Sequence, residues 1–134
     1  MTRPAGLLAA ALPLTLLAAA PATLDPDVTK QLAGRVAGPP QDCIDKSFES
    51  GPAVYHGALI YGIGRRVYLN RFRGGCPYLQ EDDAIKVDVL TGRLCRGDIV
   101  TPFVPTTRTV RPTCILGSFE PYDKPNKGGS RGGR

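Results

Sequence analysis

Few residues in this chain have side chains suited to catalysis. Its single histidine, His56, stands between Tyr55 and Gly57 at the start of a predicted strand, and no nucleophile elbow is nearby. A Ser-His-Asp or Cys-His site would have to use this imidazole. Because the sequence places no catalytic partners around it, we predict a surface histidine at a strand entrance and a protein that is not an enzyme.

One acidic cluster, Glu81–Asp83, is dense enough to be considered as a cation site. A calcium-binding loop requires spaced oxygen ligands and a glycine at its turn, and this segment has neither. We therefore interpret the cluster as a solvated loop that leads into the next strand. The sequence predicts no metal site and no cofactor.

The first 22 residues have the pattern of a secretory signal peptide. Arg3 gives the start a positive charge, residues 5–20 are uncharged, and residues 20–22 (Ala-Pro-Ala) offer the small side chains that an export peptidase reads. The uncharged run contains Pro13 and is only 16 residues long, whereas a membrane-spanning helix needs about 20. We predict cleavage after Ala22 and an exported, periplasmic or secreted chain that is soluble and neither membrane-spanning nor lipid-anchored.

The four cysteines suit this compartment as two disulfides. An oxidising environment, an even cysteine count and a small domain all favour disulfides over free thiols. Structural zinc sites and redox sites commonly use C-x-x-C pairs, whereas the intervals here are 33, 19 and 19 residues. Spacing leaves three pairings open. We favour Cys43–Cys114, which would tie the domain ends, and Cys76–Cys95, which would tie two inner loops.

Short strands joined by turns are the predicted secondary structure. Glycine (16) and proline (13) make up about a fifth of the 134 residues, which is typical of turn-rich β proteins. Residues 85–90 alternate apolar and polar side chains, as in a half-buried strand, and residues 58–63 are apolar on both faces, as in a central strand. Further strands are predicted at 66–72, 93–95, 98–104 and 114–119, the last ended by Glu120-Pro121.

This pattern predicts an all-β domain, a small antiparallel sheet curled into a partly open barrel or sandwich, stapled by disulfides and with flexible termini. Residues 23–42 are predicted to be a linker, with one or two helical turns capped by Asp25 or Asp27. The four-cysteine β domain is predicted at 43–123. Residues 124–134 form a glycine-rich tail with four basic and no acidic residues, which we expect to be disordered.

Basic residues mark the candidate binding surface. Four arginines and several aromatic side chains surround the predicted first hairpin, a pattern that can bind polyanions or form a solvated strand face. With the tail, the candidate anion-binding set is Arg65, Arg66, Arg71, Arg73, Lys124, Lys127, Arg131 and Arg134.

The function predicted from the sequence is that of an exported, non-catalytic β domain that acts by surface interaction in the cell envelope. The alternative is a binder of anionic envelope polymer through the basic hairpin and the tail. The partner would be such a polymer or another envelope protein, and export argues against nucleic acid.

The cysteines also stand in distinctive local contexts: Cys43-Ile-Asp, Cys76-Pro-Tyr-Leu, Leu-Cys95-Arg-Gly-Asp and Cys114-Ile-Leu-Gly-Ser-Phe. Over residues 42–122 these contexts resemble a family of short exported proteobacterial four-cysteine proteins catalogued as a domain of unknown function. The resemblance implies a secreted or periplasmic four-cysteine domain and brings no catalytic residue with it. Some members of that family look like lipoproteins, whereas this chain lacks an anchor cysteine.

Overall fold

The computed structural model describes residues 2, 13, 23–45, 51–89 and 91–127. The predicted signal peptide, apart from positions 2 and 13, and the tail from residue 128 onward lie outside these ranges. No helix within them combines the length and the apolar character that crossing a bilayer requires. The elements in chain order are α1 (Pro26–Leu32), β1 (Val36–Ala37), β2 (Cys43–Asp45), β3 (Ala53–Tyr55), β4 (Ala58–Tyr61), β5 (Arg66–Arg71), β6 (Ala84–Val87), β7 (Arg93–Cys95), β8 (Ile99–Phe103), β9 (Cys114–Ile115) and β10 (Phe119–Asp123).

The strands form three antiparallel sheets, which confirms the predicted all-β class. A five-stranded sheet has the order β1-β10-β5-β4-β3, a two-stranded sheet pairs β2 with β7, and a three-stranded sheet has the order β6-β8-β9. Within the described residues none of these sheets closes on itself. The architecture is therefore open, and its edges end at short strands.

The five-stranded sheet is covered on both faces because its middle strands are apolar on both. All four residues of β4 are buried, as the sequence predicted. Along a strand successive side chains point to opposite faces, so Leu59 and Tyr61 face the main core. There Tyr61 meets Phe119 edge-to-face, with ring centroids 5.8 Å apart, and Leu94 and Val100 of the smaller sheets complete the packing.

Helix α1 covers the opposite face of this sheet. Asp25 caps it by accepting the N–H of Asp27 at 2.8 Å, as predicted. Val28 and Leu32, one helical turn apart, are buried against the sheet, and β1 pairs with β10. The prediction that residues 23–42 form a linker is therefore wrong, because two apolar side chains at helical spacing make this segment part of the packed domain.

The predicted strand at 114–119 is divided into two strands in different sheets. β9 pairs with β8, whereas β10 pairs with β5 over five residues. β10 therefore continues through Glu120-Pro121, where the sequence predicted an end.

Pro121 lies inside β10 without interrupting the sheet. The backbone N–H and C=O of Phe119 both bond to Gln41, on the side away from β5, and backbone groups alternate in direction along a strand. Pro121, two residues later, faces the same side, where its carbonyl accepts the N–H of Gly38 at 2.8 Å. The N–H that proline lacks is therefore not one that β5 needs.

A side-chain amide joins the bend between β9 and β10 to β5. Asn70 is fully buried; its Nδ2 donates to the Gly117 carbonyl at 2.8 Å, and its Oδ1 accepts the Gly117 N–H at 3.0 Å. A β-carbon at position 117 would overlap the carbonyl oxygen of Arg71. Only glycine fits this close approach, so the bend is fixed against β5 just before β10 begins.

All four cysteines form disulfides, as predicted, but the favoured pairing is wrong. The bonds are Cys43–Cys95 and Cys76–Cys114, not Cys43–Cys114 and Cys76–Cys95. Cys43 lies directly opposite Cys95 in the β2–β7 pair, whereas Cys76 and Cys114 are buried in the main core. The pairing follows strand register, which sequence spacing does not reveal.

One member of the predicted solvated acidic loop is in fact buried. Asp83 Oδ2 accepts Arg111 Nε at 2.6 Å and the backbone N–H of Gln80 at 2.9 Å. Burial alone would raise the pKa of Asp83, but these hydrogen bonds and the charge of Arg111 outweigh it, so the pKa is lowered. The loop is thereby anchored to the segment that leads into β9.

We expect Gly117→Ala to destabilise the fold by about 2–3 kcal/mol, since the added carbon meets backbone that cannot move aside. The matched control is Gly92→Ala, where nothing lies within 4 Å of the new carbon and only a φ of 74° is unfavourable; its cost should be about 1 kcal/mol. Urea unfolding measures both. Equal losses in the two variants would contradict the steric role of position 117.

Asp83→Asn should lower the free energy of unfolding at pH 7 by about 2 kcal/mol, because Arg111 loses its buried counter-charge. The folded pKa of Asp83 lies below its unfolded value, so its stabilisation is complete above pH of about 4 and is lost as the pH falls further. The difference between wild type and variant should therefore shrink below pH 4. Asp82→Asn, at an exposed neighbour, is the control, and a wild-type advantage unchanged from pH 7 to pH 2 would refute the assignment.

Mass spectrometry of a non-reduced tryptic digest tests the disulfides. A lysine or arginine separates every consecutive pair of cysteines, so each cysteine falls on its own peptide. We expect cross-linked peptides joining Cys43 to Cys95 and Cys76 to Cys114. Free thiols, bound zinc or the alternative pairing would each contradict the structure.

Candidate anion-binding site

The turn between β4 and β5 sets the position of the first two basic residues. Gly62 and Gly64 have left-handed φ angles of 88° and 84°, which glycine adopts readily. They reverse the chain within four residues, so that Arg65 lies in the turn and Arg66 begins β5. This reversal forms the first hairpin that the sequence predicted.

These residues meet the end of β10 in one pocket. Arg65, Arg66, Asp123 and Lys124 line a cavity of about 460 Å³, together with Pro125 and Asn126. The backbone N–H of Lys124 donates to the Arg65 carbonyl at 2.8 Å, which extends the β10–β5 pairing by one further bond. Three cationic side chains and one carboxylate thus give the pocket a net positive charge.

An ion pair between Arg66 and Asp123 forms one side of this pocket. Arg66 Nε and one of its terminal nitrogens donate to the two Asp123 carboxylate oxygens, each at 2.7 Å. The hydrogen bond to Asp123 raises the pKa of Arg66, and the hydrogen bond from Arg66 lowers the pKa of Asp123, with Arg65 and Arg35 adding to the effect. Among the described residues, Arg65 and Lys124 make no side-chain ion pair, so both charges are available to a ligand.

The sequence reasoning missed Arg35. Its guanidinium donates to the carbonyl oxygens of Arg65 and Gly64 at 3.0 and 2.9 Å, across about thirty residues of sequence. It therefore supports the turn and adds positive charge beside the pocket. No local pattern could have revealed this contact, since it depends on α1 folding back over the sheet.

The other predicted basic residues that the structure describes do not line this pocket. Arg71 lies at the far end of β5, on the opposite face from Arg66 and about 17 Å along the strand, and it pairs with Glu120 at 3.2 Å. Arg73 pairs through its backbone with Ile115. Lys127 is exposed beyond the pocket, and Arg131 and Arg134 lie outside the described residues. The predicted patch is thus divided between the two ends of β5.

The opposite end of the sheet is acidic. Asp25, His56, Gln80, Glu81 and Asp82 line a shallow pocket of about 430 Å³. Carboxylate oxygens of Asp25, Glu81 and the nearby Asp27 lie within 4.8 Å of one another.

The pKa of Tyr55 reflects the negative charge at this end of the sheet. Burial raises the pKa of its hydroxyl, and the negative charges of Asp27, Glu81 and Asp25 raise it further. His56, predicted at a strand entrance, is exposed in the turn between β3 and β4. The molecule therefore carries opposite charges at the two ends of β4.

Comparisons with protein-family models, with curated proteins and with solved structures give no match for this chain. The resemblance of its cysteine contexts to a proteobacterial family accordingly stays a prediction from the sequence. The basis for a functional proposal is the chain's own geometry.

Proposed function

We propose that this protein is an exported binding domain, periplasmic or secreted, that holds an anionic polymer of the cell envelope at its basic pocket and catalyses no reaction. The observation that carries the proposal is the convergence of Arg65, Arg66 and Lys124 on one cavity. Two of these charges have no ion-pair partner among the described residues, and Arg35 adds a third beside them.

Two further features support the proposal that the protein is exported to an oxidising compartment. The chain begins with a signal-peptide pattern, and its four cysteines are all oxidised to disulfides, the state that an oxidising compartment favours. Oxidation also leaves no thiol in the protein to act as a nucleophile.

Chromatography on an immobilised acidic polysaccharide, polygalacturonate, tests the proposal. The protein should be retained at low ionic strength and released by salt, because exposed charges are screened as the Debye length shortens. The double variant Arg65→Gln/Lys124→Gln should bind about thirtyfold more weakly, since it removes two cations and each cation near an anionic surface contributes on the order of 1 kcal/mol.

The matched control is Arg93→Gln/Arg96→Gln, which changes the net charge equally at two exposed arginines, one in β7 and one in the turn that follows it. Its retention should be close to that of the wild type. A truncation after Lys127 separates the pocket from the rest of the tail. If the two double variants lose equal affinity, or if the truncation alone removes all retention, the pocket is not the binding site.

A further inference from the structure

The turn that carries the basic residues also projects an apolar side chain into solvent. Ile63 lies at the apex between β4 and β5 and is 93% exposed. Its neighbours, Gly62 and Gly64, have no side chains to cover it, and their left-handed backbone sets the apex apart from the sheet. This isoleucine contributes nothing to either core, whereas transfer to an apolar medium would be favourable.

Cationic and apolar groups share this end of the molecule. Arg65 follows the apex by two residues, and Lys124 is held beside it through a backbone hydrogen bond. Val36, 62% exposed, stands opposite Asp123 in the β1–β10 pair, next to Arg35, which bonds to the turn. An apolar apex with basic residues around its base is the combination that attaches proteins to anionic membrane surfaces.

We infer that this end of the sheet docks on the surface of an anionic lipid bilayer, with Ile63 inserted at the boundary between headgroups and acyl chains and with Arg65 and Lys124 against lipid phosphates. The inference goes beyond the proposed function: it uses the same basic residues, and it adds an anionic lipid surface as a second partner besides the polymer.

The exposed Ile63 apex is what points to a bilayer in addition to a polymer. A hydrated polyanion offers charge to Arg65 and Lys124 but no apolar medium for Ile63, whereas a bilayer offers both. The acidic end, with Asp25, Asp27 and Glu81, lies at the far end of β4. Repulsion from the same surface would turn that end away, so the two ends together orient the molecule with its apex toward the membrane.

The chain has no tryptophan, which allows a direct test. In Ile63→Trp the single indole reports the polarity around the apex, and Ile99→Trp places the same reporter at a 57% exposed site on the three-stranded sheet. The full chain is expressed and purified identically for each variant, so any contribution of the termini is common to all. Vesicles of phosphatidylcholine with about a third of phosphatidylglycerol, which supplies the anionic surface, should shift the emission of the Ile63→Trp variant to the blue. Neutral vesicles should leave that emission unchanged, and the Ile99→Trp variant should respond to neither.

Sedimentation with the same vesicles gives the second measurement. Ile63→Ser should lower the partition coefficient about tenfold, as expected for losing one buried aliphatic side chain, and Ile99→Ser should leave it unchanged. Arg65→Gln/Lys124→Gln, which removes two cations, should lower it about thirtyfold. High salt should release the wild-type protein.

The outcomes separate the two proposals. A blue shift with anionic vesicles, absent with soluble polygalacturonate, supports docking on lipid. No shift, an equal shift with neutral vesicles, or unchanged partitioning of Ile63→Ser overturns it, while a continued dependence of polygalacturonate binding on Arg65 and Lys124 would leave the proposed function standing. If neither vesicles nor polygalacturonate bind, both proposals fail.

Discussion

The pairing of β10 with β5 is the constraint on which the rest of the structure depends. It joins residues about fifty positions apart in the chain, and it brings Phe119 into the main core and Lys124 beside Arg65. The Asn70 amide fixes the start of this pairing by taking both backbone groups of Gly117. A buried amide that is paired in this way gains hydrogen bonds without leaving those backbone groups unpaired. One side chain thus holds the start of the strand pairing that contributes to both the main core and the basic pocket.

The local sequence pattern was enough to predict those secondary-structure elements that depend only on neighbouring residues in the chain. Alternation at residues 85–90 and apolar character on both faces at 58–63 correspond to β6 and β4, though each strand is shorter than its pattern. The helix cap at Asp25 could also be predicted from the sequence, because the capping side chain and the N–H that it accepts lie two residues apart. These features require only the period of a strand or the chemistry of a helix start.

Features that depend on distant partners were not predictable. The disulfide pairing follows the β2–β7 register. Residues 23–42 are recognised as part of the domain only from the packing of Val28 against the five-stranded sheet. In the candidate site, Arg65 and Arg66 were identified together because one turn holds them. Lys124 was considered part of a separate tail, and Arg71 was grouped with the hairpin although a strand alternates its faces. Grouping by position in the sequence therefore separated Lys124 from the pocket that it lines and included Arg71, which lies away from that pocket.

The open sheets leave strand edges exposed, and the form of these edges limits pairing with another chain. An exposed strand edge is a template for another chain, and natural proteins limit it with short edge strands and prolines. Both edge strands of the large sheet are short: β1 has two residues and β3 has three. Pro39 and Pro40 follow β1 closely, and Pro52 directly precedes β3. Each border of the large sheet thus offers a second molecule a strand of only two or three residues with which to pair.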